Sequence, residues 1–271
     1  MNYTSAMQVY GFQYAMEWED PPRNWGKVAD LLERCRPEAD SLVVLPEMFD
    51  TGFSMRAPEL AREYSGQSES FLRQFATDWK VGVMAGVTAA GSEGKASNEA
   101  VVFSRHGELL MRYSKTFPFR PGGEADFFEA GSGPKVFSWG GVRVAPFVCY
   151  DLRFPEIQRR AVQLGAEVMV FIASWPSPRA AHWTKLLQAR AIENQCFVLG
   201  VNRIGSDPQH GYSGGSLLVN PAGEIVSDAG DSENVLAARL DLGAMRQYRE
   251  RLPFLADLRP EFLPGPLPGT S

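Results

Sequence analysis

Residues 142–165 read VRVAPFVCYDLRFPEIQRRAVQLG and join an apolar run to a stretch whose apolar residues recur at helical spacing. The first part is typical of a buried strand, and the second predicts a helix with Pro155 near its first turn. Cys149 stands where the strand ends. Two interpretations are open: a small apolar residue that closes the strand, or a nucleophile held where the strand turns into the helix. The strand pattern alone favours the first, because buried cysteines are usually inert.

Strands and helices alternate in the same way through most of the chain. Several strand candidates are apolar on both faces, as buried strands in a covered sheet are. Besides the one above they are MQVYGFQ (7–13), SLVVLPEMF (41–49), VGVMAGVTAA (81–90), VMVFIASW (168–175) and CFVLGVNRIG (196–205). Helical spacing also occurs in NWGKVADLLERCR (24–36), SESFLRQFATDWK (68–80) and RAAHWTKLLQARAIENQ (179–195).

Two hairpins interrupt this alternation. Residues 99–115 turn at His106-Gly107, and residues 216–229 turn at Pro221-Ala222-Gly223. Hairpins among parallel strands indicate sheets that pack on each other with helices outside. We therefore predict an α/β fold of the layered sandwich type, not a pure doubly wound sheet.

The composition excludes several classes of protein. The chain has 271 residues, 44% of them hydrophobic and 22% charged, which is typical of a globular protein. A net charge of −5 argues against nucleic-acid binding. We see neither a secretion signal nor an apolar run of the roughly 20 residues that a membrane span needs. Three cysteines, at 35, 149 and 196, form no disulfide framework or metal-ligand pair, so we expect a cytoplasmic protein with reduced thiols.

A single domain is predicted. No internal repeat or flexible linker divides the chain, and we assign residues 1–251 to this domain. From Leu252 onward the sequence is rich in proline and lacks periodicity. We expect residues 252–271 to form an extended tail that drapes over the body or packs on a partner subunit.

Three polar residues stand at the ends of predicted strands. Glu47, Lys115 and Cys149 each follow an apolar run, and the carboxyl ends of strands form the rim where α/β sheets bind ligands. Together they suit nucleophilic catalysis: Glu47 can take the thiol proton, and Lys115 with the backbone N–H of Tyr150 can hold an oxyanion. The positive end of the helix at Pro155 would favour a thiolate at Cys149.

Each of these residues also has a structural interpretation. Glu47 alone is typical of a loop carboxylate or a helix cap, and Lys115 alone of a solvated strand end. Cys35, on a helical stretch, and Cys196, inside an apolar run, fit the role of inert thiols. Spacing by itself does not choose between catalysis and structure.

The motifs around these residues favour catalysis. Glu47 in VVLPEMFDTGF, Lys115 in YSKTFPF and Cys149 in VCYDLRFPE resemble, in the same order, the three signature motifs of the nitrilase (carbon–nitrogen hydrolase) superfamily. The flanks GGEADFFEAG, SWPSPRAAHWTKLLQARAIENQCFVLGVNRIG and YSGGSLLVNPAGE are similar as well, so the resemblance runs from the first strand to about Leu242.

This resemblance implies a four-layer α-β-β-α sandwich with a Glu-Lys-Cys centre and neither metal nor organic cofactor. It also implies a homodimer that pairs through the helix side, with C-terminal segments across the interface. A second glutamate supports the lysine in this superfamily. Glu124 in GGEADFF stands where that residue is expected, with Asp126 and Glu129 as competitors.

Within the superfamily the chain resembles the omega-amidase branch, through CYDLRFPE, SWPSPRAAHW and AIENQCFVLGVNRIGSD. The implied partners are water and a small amide with a distal carboxylate, such as 2-oxoglutaramate. Arg153 and Arg179 are candidates to bind that carboxylate, although for Arg153 an ion pair with Asp151 or Glu156 is the favoured interpretation. Candidate walls of the substrate pocket, which are equally candidates for the core, are Phe117, Phe119, Phe128 and Trp175.

Other functions stay open at this point. A nitrilase, a carbamoylase or an amide acyltransferase would use the same three residues. A Cys-His hydrolase is disfavoured because His106, His182 and His210 lie in a hairpin turn, an amphipathic helix and a glycine-flanked loop, and we assign His182 a supporting or surface role. The non-enzyme alternative is a binding protein on a nitrilase scaffold, which would be expected to lose one of the three residues.

Overall fold

The computed structural model describes residues 6–262, and its strands form two six-stranded sheets and one small hairpin sheet. The strands are β1 (Ala6–Gln13), β2 (Leu42–Val44), β3 (Gly82–Ala90), β4 (Ala96–Phe103), β5 (Leu109–Ser114), β6 (Phe137–Trp139), β7 (Val142–Val148), β8 (Val168–Ala173), β9 (Phe197–Asn202), β10 (Ile204–Ser206), β11 (Gly211–Ser213), β12 (Leu217–Val219), β13 (Ile225–Asp228) and β14 (Asn234–Asp241). The helices are α1 (Pro21–Cys35), α2 (Ala57–Trp79), α3 (Glu124–Phe127), α4 (Pro155–Gln163), α5 (Ala180–Asn194) and α6 (Leu242–Arg251).

Each large sheet has parallel strands at its centre and antiparallel strands at its edges. The first has the order β14-β1-β2-β3-β4-β5, with β1, β2 and β3 parallel. The second has the order β13-β12-β9-β8-β7-β6, with β7, β8 and β9 parallel. Both predicted hairpins are present, as β4–β5 and β12–β13. The small sheet pairs β10 with β11.

Side chains of the central strands alternate between two apolar layers. Val9 and Val44 point into the core between the sheets, whereas Tyr10 and Val43 pack with residues of α1 and α2. The sheets approach closely at Gly11 on β1, where a Cβ atom would lie 2.9 Å from Cγ2 of Val201 on β9.

The second sheet is covered in the same manner on its other face. A Cβ atom at Gly200 on β9 would lie 2.5 Å from Leu187 and 2.6 Å from Trp183, both on α5. The order of layers is therefore helices, sheet, sheet, helices. This arrangement confirms the predicted α-β-β-α sandwich.

The helices differ from the prediction in three places: α2 begins earlier, and neither α3 nor α6 was predicted. Helix α2 begins at Ala57, well before the predicted start at Ser68. The prediction missed the added turns, in which Ala57, Leu60 and Ala61 are buried at helical spacing. Helix α6 was not predicted; of its ten residues only Leu242 and Met245 are buried. None of the helices within residues 6–262 is long and apolar enough to cross a membrane.

The chain after α6 is only partly within the described residues. Residues 254–257 and 260–262 form short 3-10 helices, and the extended tail over residues 252–271 stays a prediction. The aromatic side chains of Phe254 and Phe262 are exposed. Residues 263–271 lie outside the described range, and the assignment of residues 1–251 as the domain stays a prediction.

Candidate active site

The three strand-end residues converge, as the topology requires. Glu47 follows β2, Lys115 follows β5 and Cys149 follows β7. Glu47 and Lys115 are almost completely buried, and Cys149 is half-buried. The carboxylate of Glu47 accepts a hydrogen bond from Nζ of Lys115, and its charge also raises the pKa of the Cys149 thiol.

Lys115 lies between two carboxylates, and we call Glu47, Lys115 and Glu124 the charge cluster. Its Nζ is 2.9 Å from Oε1 of Glu47 and 2.8 Å from Oε2 of Glu124. Burial by itself would lower the pKa of Lys115, but the carboxylates of Glu124 and Glu47 outweigh it and hold the pKa above its usual value. The lysine is therefore a fixed ammonium that cannot act as a base near neutral pH.

Of the three acidic residues considered as the second partner of Lys115, Glu124 is the one that lies against it. Its carboxylate is buried, and it also accepts a hydrogen bond from the backbone N–H of Phe119. Asp126 is exposed, and Glu129 accepts from the N–H and hydroxyl of Ser92 at the surface. The structure thus places Glu124, and neither neighbour, against Lys115.

Two further groups fix the Glu47 carboxylate. Nδ2 of Asn98 donates to Oε1 of Glu47 at 2.8 Å and to Oε1 of Glu124 at 2.9 Å. The backbone N–H of Ser174, at the end of β8, donates to Oε2 of Glu47 at 2.8 Å. Both oxygens of Glu47 are therefore held by donors, and one amide group bridges the two carboxylates of the cluster.

Glycines allow the backbone at these residues to pack tightly. At Gly86 on β3 a Cβ atom would lie 2.5 Å from Cα of Glu47. At Gly131 a Cβ atom would lie 2.0 Å from the carbonyl oxygen of Ser114, next to Lys115. Contacts this short exclude any side chain, so each glycine lets a strand end approach its neighbour.

Cys149 has an unusual backbone and a protonated thiol. Its φ of 44° lies in the left-handed region, which non-glycine residues rarely adopt and which often marks a functional site. Burial raises the pKa of the thiol, the Glu47 carboxylate raises it further, and Lys115 partly opposes them. The thiolate expected from the helix end at Pro155 is therefore wrong: a 3-10 helix, Cys149–Arg153, separates the sulfur from α4.

Comparison with known proteins decides the family. The model of the carbon-nitrogen hydrolase family matches residues 9–250. A 2-oxoglutaramate amidase of Bacillus subtilis is 35% identical over 91% of this chain and 95% of its own length. Omega-amidase YafV of Yersinia enterocolitica is 37% identical over 93% of this chain and 97% of its own. The chain belongs to the carbon–nitrogen hydrolase family.

A solved structure of this family has the same fold. The crystal structure of XC1258 from Xanthomonas campestris, described as a CN-hydrolase superfamily protein with an arsenic adduct in the active site, superposes with a TM-score of 0.88. It is 32% identical, and the match covers 94% of this chain and 98% of that one. The family expected from the three motifs is confirmed.

In this carbon–nitrogen hydrolase Cys149 lines a cavity that is open to solvent. The cavity has an aromatic wall and a basic rim, and Lys115 and Cys149 lie at its base. Its other lining residues are Phe53, Met55, Phe119, Gly122, Tyr150, Arg153, Ser174, Trp175, Pro176, Arg179, Gln209, His210 and Tyr212.

The two arginines of the rim, Arg153 and Arg179, contact aromatic rings and have no carboxylate partner within residues 6–262. Arg153 lies over the ring of Trp175, 4.7 Å from its centroid, and Arg179 lies 5.5 Å from the centroid of Phe119. Within residues 6–262 neither guanidinium forms an ion pair with a carboxylate. The favoured pairing of Arg153 with Asp151 or Glu156 is wrong, because the turn after Cys149 directs the Asp151 carboxylate into the interior.

Two of the four predicted aromatic walls lie elsewhere. Phe119 and Trp175 line the cavity. Phe117 instead stacks on Phe154 with ring centroids 3.9 Å apart. Phe128 is buried in a small apolar cluster with Met48 and other residues. Both were equally candidates for the core, and that is where their apolar contacts place them.

Sequence reasoning missed several residues of the site. Asn98 lies near the start of β4 between Ser97 and Glu99, where a polar residue gives no local signal of a role in catalysis. His210 and Tyr212 reach the cavity from the β10–β11 hairpin, whose short strands were not predicted. His182 is exposed and lies near Arg153, in line with the supporting or surface role assigned to it.

The site contains no obvious set of metal ligands. Across the described part of the chain, no three or more His, Cys, Asp or Glu side chains are grouped so that they could hold a metal ion. The acidic groups nearest to Cys149 are instead occupied by Lys115 and Asn98. The chemistry available to these residues is proton transfer, nucleophilic attack and stabilisation of an oxyanion.

Proposed function

We propose that the protein is an omega-amidase, which hydrolyses the terminal amide of a small dicarboxylate monoamide such as 2-oxoglutaramate and releases ammonia. The observation that carries this proposal is a half-buried cysteine that lines the same pocket as Lys115 and as two arginines without a carboxylate partner within residues 6–262. The names of the Bacillus subtilis and Yersinia enterocolitica relatives support the choice of an amide over other substrates.

The first half of the reaction forms a thioester. Because the thiol is protonated at rest, Glu47 takes its proton as the sulfur attacks the amide carbon. The ammonium of Lys115 and the backbone N–H of Tyr150 stabilise the oxyanion that develops. Glu47 then passes the proton to the leaving nitrogen, the C–N bond breaks, and ammonia departs from the acyl-enzyme at Cys149.

The second half reverses these roles with water. Glu47 takes a proton from a water molecule as its oxygen attacks the thioester carbon, and the same two donors hold the second oxyanion. Collapse breaks the C–S bond, the sulfur recovers its proton from Glu47, and the carboxylic acid leaves. The constant ammonium of Lys115 suits this cycle because it supplies charge without exchanging a proton.

The rim supports a substrate with a negative charge at the end opposite the amide. A guanidinium that has no carboxylate partner in the protein is free to bind one on a ligand, and a carboxylate can accept two parallel hydrogen bonds from it. The aromatic rings beneath Arg153 and Arg179 hold these side chains by cation–π contact and surround the carbon chain of the substrate. Substrate carbon would thus pack between Phe119 and Trp175.

Oligomeric state and location remain predictions. We infer a homodimer that pairs through the helix side of the sandwich, and the exposed apolar side chain of Ile192 on α5 supports an interface there. A monomeric mass at micromolar concentration would overturn this inference. The cytoplasmic location follows only from the number and spacing of the cysteines.

A panel of substrates tests the proposed function. Ammonia release would be measured with 2-oxoglutaramate, succinamate, glutamine, asparagine, an N-carbamoyl amino acid and a small nitrile. We expect the highest kcat/KM for 2-oxoglutaramate or succinamate. Faster turnover of the nitrile or the carbamoyl compound would replace the proposal with a nitrilase or a carbamoylase. Product formation only in the presence of added hydroxylamine or amine would indicate an acyltransferase.

A further inference from the structure

Asp151 is a buried carboxylate that the proposed reaction does not use. It accepts three hydrogen bonds: from the hydroxyl of Tyr113 at 2.7 Å, from the backbone N–H of Phe117 at 2.9 Å and from that of Val148 at 3.1 Å. Its backbone carbonyl accepts two more, from Nε2 of Gln158 on α4 at 2.9 Å and from the backbone N–H of Phe154 at 3.1 Å. The residue is fully buried, so these contacts replace its hydration.

The three donors to the carboxylate belong to the two segments that carry the reacting groups. Tyr113 and Phe117 stand two residues before and two residues after Lys115, and Val148 directly precedes Cys149. The segments lie in different sheets, β5 at an edge of the first and β7 in the second. One side chain therefore joins both sheets at the point where ammonium and thiol meet.

We propose that Asp151 is a positioning residue that fixes the Cys149 sulfur relative to the Lys115 ammonium by holding the ends of β5 and β7 together. This role rests on the proposed function, in which sulfur and ammonium act on the same carbonyl group. Reacting groups must be placed to within a fraction of an ångström, and an error of about 1 Å can cost about 100-fold in rate. Asp151 touches neither substrate nor the reacting atoms, and acts only through Tyr113, Phe117 and Val148.

The carboxylate form of Asp151 is the form that can hold all three donors. Burial raises the pKa of Asp151 to about 7, against the opposing effect of its hydrogen bonds and of Lys115. Two titratable groups near the Asp151 carboxylate are Tyr113 of β5 and Lys115, which follows β5. Gln158 of α4 is uncharged. The guanidinium of Arg190 on α5 donates to the carbonyl of Leu152 and not to Asp151. When Asp151 takes up a proton, one acceptor position is lost. The hydrogen bonds that hold the two segments together therefore weaken as the pH falls below about 7.

Two variants test this role, and a third serves as control. Asp151→Asn replaces one acceptor oxygen by a donor, and Tyr113→Phe removes one of the three donors. Glu167→Gln is the matched control, because Glu167 accepts from the N–H of Arg143 at the opposite end of β7 and from Arg246. All are compared with wild type for kcat, KM, pH profile and unfolding midpoint.

We expect Asp151→Asn to lower kcat about 10- to 100-fold with KM changed by less than about twofold. In this variant the fall of kcat below about pH 7 that we expect of the wild type should be absent. Tyr113→Phe should move that fall to higher pH, because the ionised carboxylate loses a donor. Should Asp151→Asn not fold, Tyr113→Phe decides. A residue that only stabilised the fold would change the unfolding midpoint and leave both this pH dependence and kcat in place.

The pH dependence of Cys149 alkylation by iodoacetamide gives a readout that needs no substrate. If wild type hydrolysed none of the amides, the proposed function would fail, yet the alkylation profile would still report on Asp151. An alkylation profile that shifts in Tyr113→Phe but not in Glu167→Gln supports the role. The proposed role is overturned if Asp151→Asn and Tyr113→Phe both have the alkylation profile of the wild type. It is also overturned if Glu167→Gln changes the profile as much as they do.

Discussion

Nζ of Lys115 lies 2.9 Å from Oε1 of Glu47, with both side chains almost completely buried. A buried ion pair adds little net stability, because the loss of hydration of the two ions offsets their attraction. Its value here is electrostatic: the pair places an ammonium and a carboxylate beside one thiol. Each prediction below follows from how the chain holds these groups.

Asn98 should be required for activity although it touches no substrate. Asn98→Ala removes donors to both carboxylates of the charge cluster, and a hydrogen bond to a charged group is worth about 1.5–3 kcal/mol. We expect kcat to fall about 10- to 100-fold, and Asn98→Asp to be worse because it adds a third carboxylate. Asn194→Ala is the control, since Asn194 is equally buried but donates to the carbonyl of Arg190. Equal kcat in Asn98→Ala and Asn194→Ala would refute this assignment.

Arg153 and Arg179 should determine the preference for a substrate carboxylate. We expect Arg153→Met and Arg179→Met to raise KM for succinamate about tenfold or more while changing turnover of the uncharged amide butyramide little. Steady-state ammonia release with the two amides measures this ratio. Arg34→Met is the control, because Arg34 is an exposed residue paired with Glu233. A parallel loss on both amides would show that the arginines do not select for charge.

Two glycine substitutions should act in opposite directions. Gly86→Ala places a Cβ atom 2.5 Å from Cα of Glu47, so either β3 or the Glu47 segment must move. We expect lower stability together with a loss of kcat. Gly26→Ala, in α1, meets nothing within 4 Å and should stabilise the protein by about 0.5–1 kcal/mol at unchanged activity. Urea unfolding and ammonia release test both, and full activity in Gly86→Ala would contradict the packing described here.

The buried carboxylate of Asp50 should make the protein less stable as the pH rises. Burial raises the pKa of Asp50 from 3.8 to about 6. Between these values the folded state holds a proton that the unfolded state has released, so the free energy of unfolding falls as the pH rises through this range. Above about pH 6 the full cost of the buried charge is present.

Asp50→Asn removes this titration and keeps an acceptor for Trp25 and Ser68, which both donate to the same oxygen. Relative to wild type, we expect the free energy of unfolding of the variant to rise by about 2 kcal/mol between pH 4.5 and pH 7. Urea unfolding at the two pH values measures the difference. If the unfolding free energies of wild type and Asp50→Asn changed equally between the two pH values, Asp50 would not titrate in this range.

The sequence alone predicts the central strands of both large sheets and the proposed catalytic trio, because both have local signals. Apolar runs mark the buried strands, and Glu47, Lys115 and Cys149 each follow such a run within a recognisable motif. Asn98 had no such signal: its importance depends on β4 lying between β3 and β5, which only the folded sheet determines. Long-range neighbours of this kind cannot be obtained from spacing.

Arg153 and Cys149 show a second limit of sequence reasoning. Acidic residues near Arg153 along the chain suggested an ion pair, but the 3-10 turn sends Asp151 inward and Arg153 to the cavity. The helix at Pro155 suggested a thiolate, yet burial and the Glu47 charge dominate at the sulfur. In both cases a local turn and the exclusion of water, not the order of residues, determine the outcome.

The most direct test of the thiol as nucleophile is ammonia release by Cys149→Ala from the best amide of the panel. Cys35→Ala and Cys196→Ala are matched controls, since neither of these two thiols lines the cavity. We predict a loss of at least about 1,000-fold in Cys149→Ala, with its circular dichroism spectrum unchanged, and near wild-type rates in both controls. Ammonia release by Cys149→Ala at the wild-type rate would contradict the mechanism.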